Sequence, residues 1–284
     1  MNYSNITSVK DVLTMASLDF QAKFEGLTTD SGLKMQEKAI VGNDQIFGIA
    51  GKNYNIIQNS QFFPDILQVP LESENFKIKK AFQNKSKSVI ELEYLNPNAQ
   101  MIVGETFSHS LYIWNDFSGK NASGAQFRTL RLVCTNGMKS NRIESEFSIR
   151  HLSTFQERIE TGKEIIFNSQ EYINALAKDI EKMKLSKVTG NDVLTYVKNM
   201  LNIKVDIDLK DISTRSKNNL ENVLNIYKTK SDVERGTVWG LYNSYTDYFS
   251  HSKSFKEDQT DSVLFGAGSN ELEKSYSLAL QLTN

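Results

Sequence analysis

A single cysteine in 284 residues, Cys134, excludes an internal disulfide and any metal site built on several thiolates, which fits a reducing compartment. Neither sign of charge is in excess. The 33 basic and 34 acidic residues leave a formal net charge of -1, so no global field draws the chain to nucleic acid or to an anionic membrane. Any anion site must therefore be local. No apolar run approaches the roughly 18 residues that span a bilayer, and the amino terminus lacks the charged and apolar regions of a signal peptide. No membrane partner is expected, and the expected location is cytoplasmic. The histidines are few, His109, His151 and His251, and no pair shows a ligand spacing such as His-x-x-x-His. Neither a metal nor a cofactor is expected.

What is present suffices for a sizeable core: 39% of the residues are hydrophobic and 10% aromatic. The first half reads as strands. Residues 39–41, 45–50, 76–82, 88–95, 99–107 and 111–114 are short runs rich in aromatic and β-branched side chains, separated by Gly/Asn/Pro turn signals. A helix over 8–16 is expected to open on Ser8 and Asp11, and a short one over 60–67 tolerates Pro64 only in its first turn. The second half reads as helices. A Thr154/Glu157 capping box opens a long 3.6-period run to about Met183, and further helices are expected over 191–201, around Leu220 to Tyr227, over 236–251 and over 270–282. Strands first and helices afterwards predict a single α+β domain over 1–284, mainly β in 1–152 and mainly α in 153–284, with the helical half packed on an antiparallel sheet.

Two regions concentrate basic charge. Lys77, Lys79, Lys80, Lys85 and Lys87 follow one another without an acid. Such a hairpin suits a phosphate backbone with aromatic stacking, and equally a solvated edge strand in which Phe76, Ile78 and Phe82 share the inward parity. Further on, Arg128 and Arg131 lie in an apolar strand that leads to Cys134, Thr135, Asn136 and Gly137. Flanked by Leu130 and Leu132, Arg131 needs an anionic partner, either a protein carboxylate or a ligand phosphate. No local signature ties a histidine to Cys134, which reads as a buried structural thiol. The glycine turn 265–268 reads as a helix entry with Asn270 and Glu273 as its capping pair, because it lacks the Lys-Ser/Thr ending of a phosphate loop.

Several segments together resemble the family called domain of unknown function 932, the phage/plasmid-like proteins. They are Arg131-Leu132-Val133-Cys134-Thr135-Asn136, then Ile149-Arg150-His151, then 236–243 with Thr246, Tyr248 and His251, and finally the turn 265–268. Upstream, Tyr54 with Gln58-Asn59 resembles a Tyr-x-x-x-Gln-Asn element, and Asp116-Phe117-Ser118-Gly119 stands where the family has an Asp/His-Asp-Gly loop. The likeness runs from about residue 42 onward, with Gly137-Met138 where a Thr-Leu pair is common. It implies an origin in a bacteriophage, plasmid or integrated element and a bacterial host, without a settled activity. Three functional expectations result. The first is a DNA-replication or recombination accessory that binds or anneals single-stranded DNA through Lys77, Lys79, Lys80, Lys85, Lys87, Arg128 and Arg131. The second is a small-ligand protein or enzyme whose pocket gathers Arg131, Asn136, Arg150, His151, Asn243 and His251. The third is a protein-interaction or anti-defence factor. Whether the chain catalyses a reaction and whether it forms a homo-oligomer stay open at this stage.

Overall fold

The computed structural model describes residues 8–132, 136–138, 146–151, 159, 163, 168–230, 233–255 and 259–284. Antiparallel strands occupy the N-terminal half and helices the C-terminal half, so the fold is α+β. In chain order the elements are α1 (Val9–Met15), β1 (Lys23–Thr28), β2 (Lys34–Gly42), β3 (Gln45–Ala50), α2 (Asn59–Glu72), β4 (Phe76–Asn84) and β5 (Lys87–Tyr94). Next come α3 (Pro97–Gln100), β6 (Met101–Ile102), β7 (Glu105–Asp116), β8 (Ser123–Arg131), β9 (Asn136–Met138) and β10 (Glu146–Ile149). The described helices after these are α4 (Ser169–Leu185), α5 (Gly190–Met200), α6 (Thr214–Thr229), α7 (Val238–Asp247) with a π-helical turn (Tyr248–Ser252), α8 (Gln259–Phe265) and α9 (Ala267–Gln281). One sheet has the order β1-β2-β3, and another has β10-β8-β7-β5-β4, with β6 added to β7 and β9 to β8.

The chain divides into two compact units: Met1–Asn96, His109–Phe127 and Glu144–Gln170 form the first, and Pro97–Ser108, Arg128–Ile143 and Glu171–Asn284 the second. In the first, α2 buries Phe62, Phe63, Ile66 and Leu67, while β5 buries Val89, Ile90 and Leu92. A smaller core unites Ala22, Ile40, Ala50 and Phe117, with Phe20 tilted against Phe117 and Phe47 stacked on it, each at a ring distance of 5.4 Å. Burying a phenylalanine this fully is worth about 2–3 kcal/mol, enough to fix the segment that follows it. The second unit is built around the aromatic face of α7, where Trp239, Tyr242 and Tyr245 are buried, with Tyr196 of α5 and Tyr276 of α9.

Several local expectations change. Residues 99–107 are not one strand: Ala99 ends in α3, and Val103 and Gly104 adopt positive φ of 48° and 79°, turning β6 back onto β7 as a hairpin. The parity of β4 flips at a bulge between Ile78 and Lys80, so Ala81 is buried and Phe82 only partly so. Helix α2 carries Pro64 and Pro70 in its interior, and Gln61 rather than a proline secures its start by accepting the Gln58 N–H at 3.1 Å. Ser8 makes no side-chain cap on α1. Helix α9 starts at Ala267 with Gly266 at its cap, which places Asn270 and Glu273 inside the helix rather than at its entry. Thr189 with Asp192 forms the capping box of α5 that the sequence reading passed over. The Thr154/Glu157 capping box, Cys134 and Thr135 lie outside the described residues.

Candidate functional site

The first unit holds a chain of buried polar side chains behind an open cleft. Cross-strand pairing places its members: Lys87 faces Asp116 and Ser88 faces Asn115 across β5 and β7, while Ser123 faces Ile149 across β8 and β10. His151 follows β10 by two residues and so returns to the start of β8. Asn115 Nδ2 donates to the Ile57 carbonyl (2.8 Å) and to Asn59 Oδ1 (2.9 Å), which commits Asn115 Oδ1 to accept the Ser123 hydroxyl (2.8 Å). Asn59 Nδ2 in turn donates to the Leu18 carbonyl and to Ser88 Oγ, both at 2.8 Å. With its proton spent on Asn115, the Ser123 oxygen accepts the Asp116 N–H (2.9 Å) and His151 Nε2 at 2.6 Å. That assigns the imidazole proton to Nε2. Nδ1 of His151 is buried and has no hydrogen-bond partner among the described residues.

Electrostatics follow from this burial. Desolvation pushes the His151 imidazole down to about 4, against the opposing Asp116 charge and the Asn55 backbone, so the ring is neutral at physiological pH. Its ring stacks on Tyr54 at 4.8 Å with a 10° tilt, and the Tyr54 hydroxyl donates to the Asp116 carbonyl at 3.2 Å. Burial and the Asp116 charge raise the Tyr54 phenol above its ordinary value. Burial alone would raise Asp116 too, but the Lys87 ammonium 3.3 Å from Oδ2 and hydrogen bonds from Ser118 N–H and Ser86 hold its carboxyl below the usual range.

Beside the stacked pair lies a cleft of ≈ 450 Å³ lined, among the described residues, by Lys52, Lys120 and Arg150 and by no acid. Three segments deliver these cations: the 51–53 turn after β3, the loop between β7 and β8, and the end of β10. Two glycines hold the first two segments together. A Cβ on Gly48 would stand 2.0 Å from the Ser118 carbonyl oxygen, and one on Gly119, whose φ is +77°, would stand 2.5 Å from that of Ile49. The Ser118 hydroxyl then accepts the N–H groups of Lys120 and Asn121, both at 3.2 Å, which shapes the loop beside the turn.

The second unit holds a separate buried charge cluster. Glu105 accepts from Arg131 Nε and from Trp239 Nε1 (2.6 Å), and Lys184 Nζ is 3.0 Å from it. Burial would raise the Glu105 carboxyl, but these three partners hold it lowered. Arg131 also lies 5.7 Å over the Trp239 ring and 3.5 Å from Asn243 Oδ1. Its anionic partner is thus a protein carboxylate. Arg128 donates to the Leu264 carbonyl and to Ser269 Oγ, each at 3.1 Å.

Of the six residues expected in one pocket, Arg150 and His151 sit at the cleft of the first unit, and Arg131 and Asn243 meet in the second. Asn136 pairs with Arg131 through the β8–β9 ladder, and His251 is exposed in the π-helical turn. In the lysine hairpin, Lys77 pairs with Glu93 (3.1 Å) and Lys79 with Glu91 (2.8 Å), Lys80 lies 4.5 Å over the Phe82 ring, and Lys85 holds a turn at φ 53°. Lys87 is turned inward to Asp116. Sequence reading missed Lys52, Lys120, Asn53 and Asn121. Their one signal was proximity to turn glycines, Gly51 and Gly119. Among the described residues, no helix is long and apolar enough to cross a membrane and no group of three or more His, Cys, Asp and Glu can hold a metal ion.

Fold and site together define an α+β protein with a basic cleft set over a buried, hydrogen-bonded floor in its first unit. The chain belongs to the family described as Domain of unknown function (DUF932), whose model matches residues 46–265 and thus spans every residue of the cleft and of the Glu105 cluster. No curated protein and no solved structure matches the chain.

Proposed function

We propose that this protein binds a small polar ligand in the cleft of its first unit. One observation carries the reading: Lys52, Lys120 and Arg150 come from three distant segments to one cleft that no acid among the described residues lines. Structural ion pairs neutralise charge, as Lys77 and Lys79 do with Glu93 and Glu91, whereas a cleft that gathers charge of one sign is suited to capture the opposite sign. The floor supports this role. His151 and Tyr54 are locked by stacking and by the Ser123–Asn115–Asn59 network, so the cleft is preformed. The test is a thermal-shift screen of neutral, anionic and cationic small molecules on the wild type and on a Lys52→Ala/Lys120→Ala/Arg150→Ala variant. A ligand that raises the wild-type Tm and not the variant's is expected. Equal shifts in both proteins, or none in either, would remove the reading.

A second reading keeps single-stranded DNA as the partner, in the cytoplasm of a bacterial host and in the service of a mobile element. The exposed Lys80 over Phe82 favours it, since a cation beside an aromatic ring at a hairpin end suits a stacked nucleotide. A labelled oligonucleotide whose affinity falls steeply with salt and drops in Lys80→Ala would support it. Salt-independent or absent binding would not.

A further inference from the structure

We infer that the ligand of the first-unit cleft is a phosphorylated small molecule, held by its phosphate between Lys52, Lys120 and Arg150. This rests on the reading of the cleft as a ligand site and adds the chemical class.

The charge count comes first. A lone carboxylate is satisfied by one arginine fork, whereas three cations from three chain segments match a group carrying close to two negative charges and three acceptor oxygens. The nearest buried carboxylate does not supply that charge, because Asp116 is already paired with Lys87 at 3.3 Å and bonded by Ser86 and Ser118. His151 adds no fourth cation, since its ring is neutral and its Nε2 proton is committed to Ser123.

Size comes second. At ≈ 450 Å³ the cleft exceeds what an inorganic anion fills and lies within the range of small-molecule sites. The rest of the ligand therefore has room, and Asn53 and Asn121 supply polar groups to a wall that Tyr54, His151 and Ala122 also line. Amide side chains that donate and accept suit the hydroxyl groups of a sugar or polyol phosphate. The three cations and both asparagines are exposed, so they reach a ligand without any rearrangement of the fold.

The experiment is calorimetric titration of the full chain with inorganic phosphate, ribose 5-phosphate, ribose and succinate. Ribose 5-phosphate is expected to bind most tightly, inorganic phosphate more weakly, and ribose not measurably. Lys52→Ala, Lys120→Ala and Arg150→Ala should each weaken ribose 5-phosphate by about tenfold, since each removes a charge-assisted bond from an exposed position. Binding should also weaken between pH 7 and pH 5, as a phosphomonoester takes up its second proton near pH ~6. Succinate that binds as tightly as ribose 5-phosphate at pH 7 overturns the phosphate assignment but leaves the cleft as an anion site. Ribose that binds as tightly overturns the assignment and leaves the cleft as a neutral-ligand site. Ribose 5-phosphate binding that all three variants retain overturns its placement here, and binding of a deoxythymidine oligonucleotide alone, lost in the same variants, overturns the small-molecule class.

Discussion

Lys87 and Asp116 face each other across the β5–β7 pair, with Nζ 3.3 Å from Oδ2 and the carboxylate wholly buried. This pair sits behind the Tyr54–His151 floor and neutralises a carboxylate whose charge reaches both rings. Lys52, Lys120 and Arg150 are therefore left to set the sign of the cleft. Lys87→Met strands a buried anion, and loss of one partner of such a pair costs about 3–5 kcal/mol. Urea denaturation should show a loss near the lower end, because Ser86 and Ser118 still bond Asp116. Adding Asp116→Asn to Lys87→Met should recover much of it, and an additive double mutant would show that the two charges do not interact.

His151 makes stability depend on pH in a defined window. Its folded-state value of about 4 lies below the 6.5 of an unperturbed imidazole. The unfolded chain therefore takes up the proton first, so the stabilisation is complete above the unfolded value and is lost as pH falls through the folded one. The loss over that window is at most about 3 kcal/mol. His151→Gln keeps an N–H donor for Ser123 and cannot titrate. Denaturation midpoints measured between pH 7.5 and pH 4.5 should thus fall less steeply in the variant, and parallel slopes would assign the acid sensitivity to other groups.

How much of this was legible in the sequence depends on whether the cause was local. The strands β3, β4 and β5 and the faces of α5 to α7 follow from alternation or 3.6-residue periodicity, which side-chain burial imposes directly. The Ile78/Lys80 bulge and the Val103-Gly104 hairpin were not legible, because a bulge leaves alternation intact on either side and valine is an unfavoured residue at positive φ. The need of Arg131 for an anion could be read from its apolar neighbours. Its partner could not, since Glu105 is 26 residues away and meets it only through the second unit's packing. The cleft was half legible: Arg150 and His151 stood out in the family-like segment, whereas Lys52 and Lys120 are ordinary surface lysines until the turn and loop meet.

That meeting depends on Gly48. A side chain there would drive a Cβ to 2.0 Å from the Ser118 carbonyl oxygen, a backbone atom that cannot rotate away. Gly48→Ala should cost about 3 kcal/mol, as overpacking against backbone does, and should displace the loop that carries Lys120. The matched control is Gly51→Ala, where an added Cβ meets nothing within 4 Å, and which should stay within about 0.5 kcal/mol of wild type. Thermal denaturation of the two variants compares them, and equal stabilities would mean that β3 and the loop are not in contact.

The Glu105 cluster of the second unit separates a buried charge from an exposed one. Glu105 is the shared acceptor of Arg131, Lys184 and the Trp239 indole. Glu105→Gln keeps the shape but withdraws the charge from two cations, one of them only 5% exposed at its side chain. The expected cost is about 3 kcal/mol. Lys184 is the more exposed partner at 20% and leaves the Arg131 and Trp239 bonds intact when removed, so Lys184→Met should cost no more than about 1 kcal/mol. The difference should survive at high salt, because screening reaches exposed pairs far more than buried ones. Chemical denaturation at low and high ionic strength measures both variants. If Lys184→Met proved the costlier change, the carboxylate would owe its low pKa to the lysine rather than to Arg131.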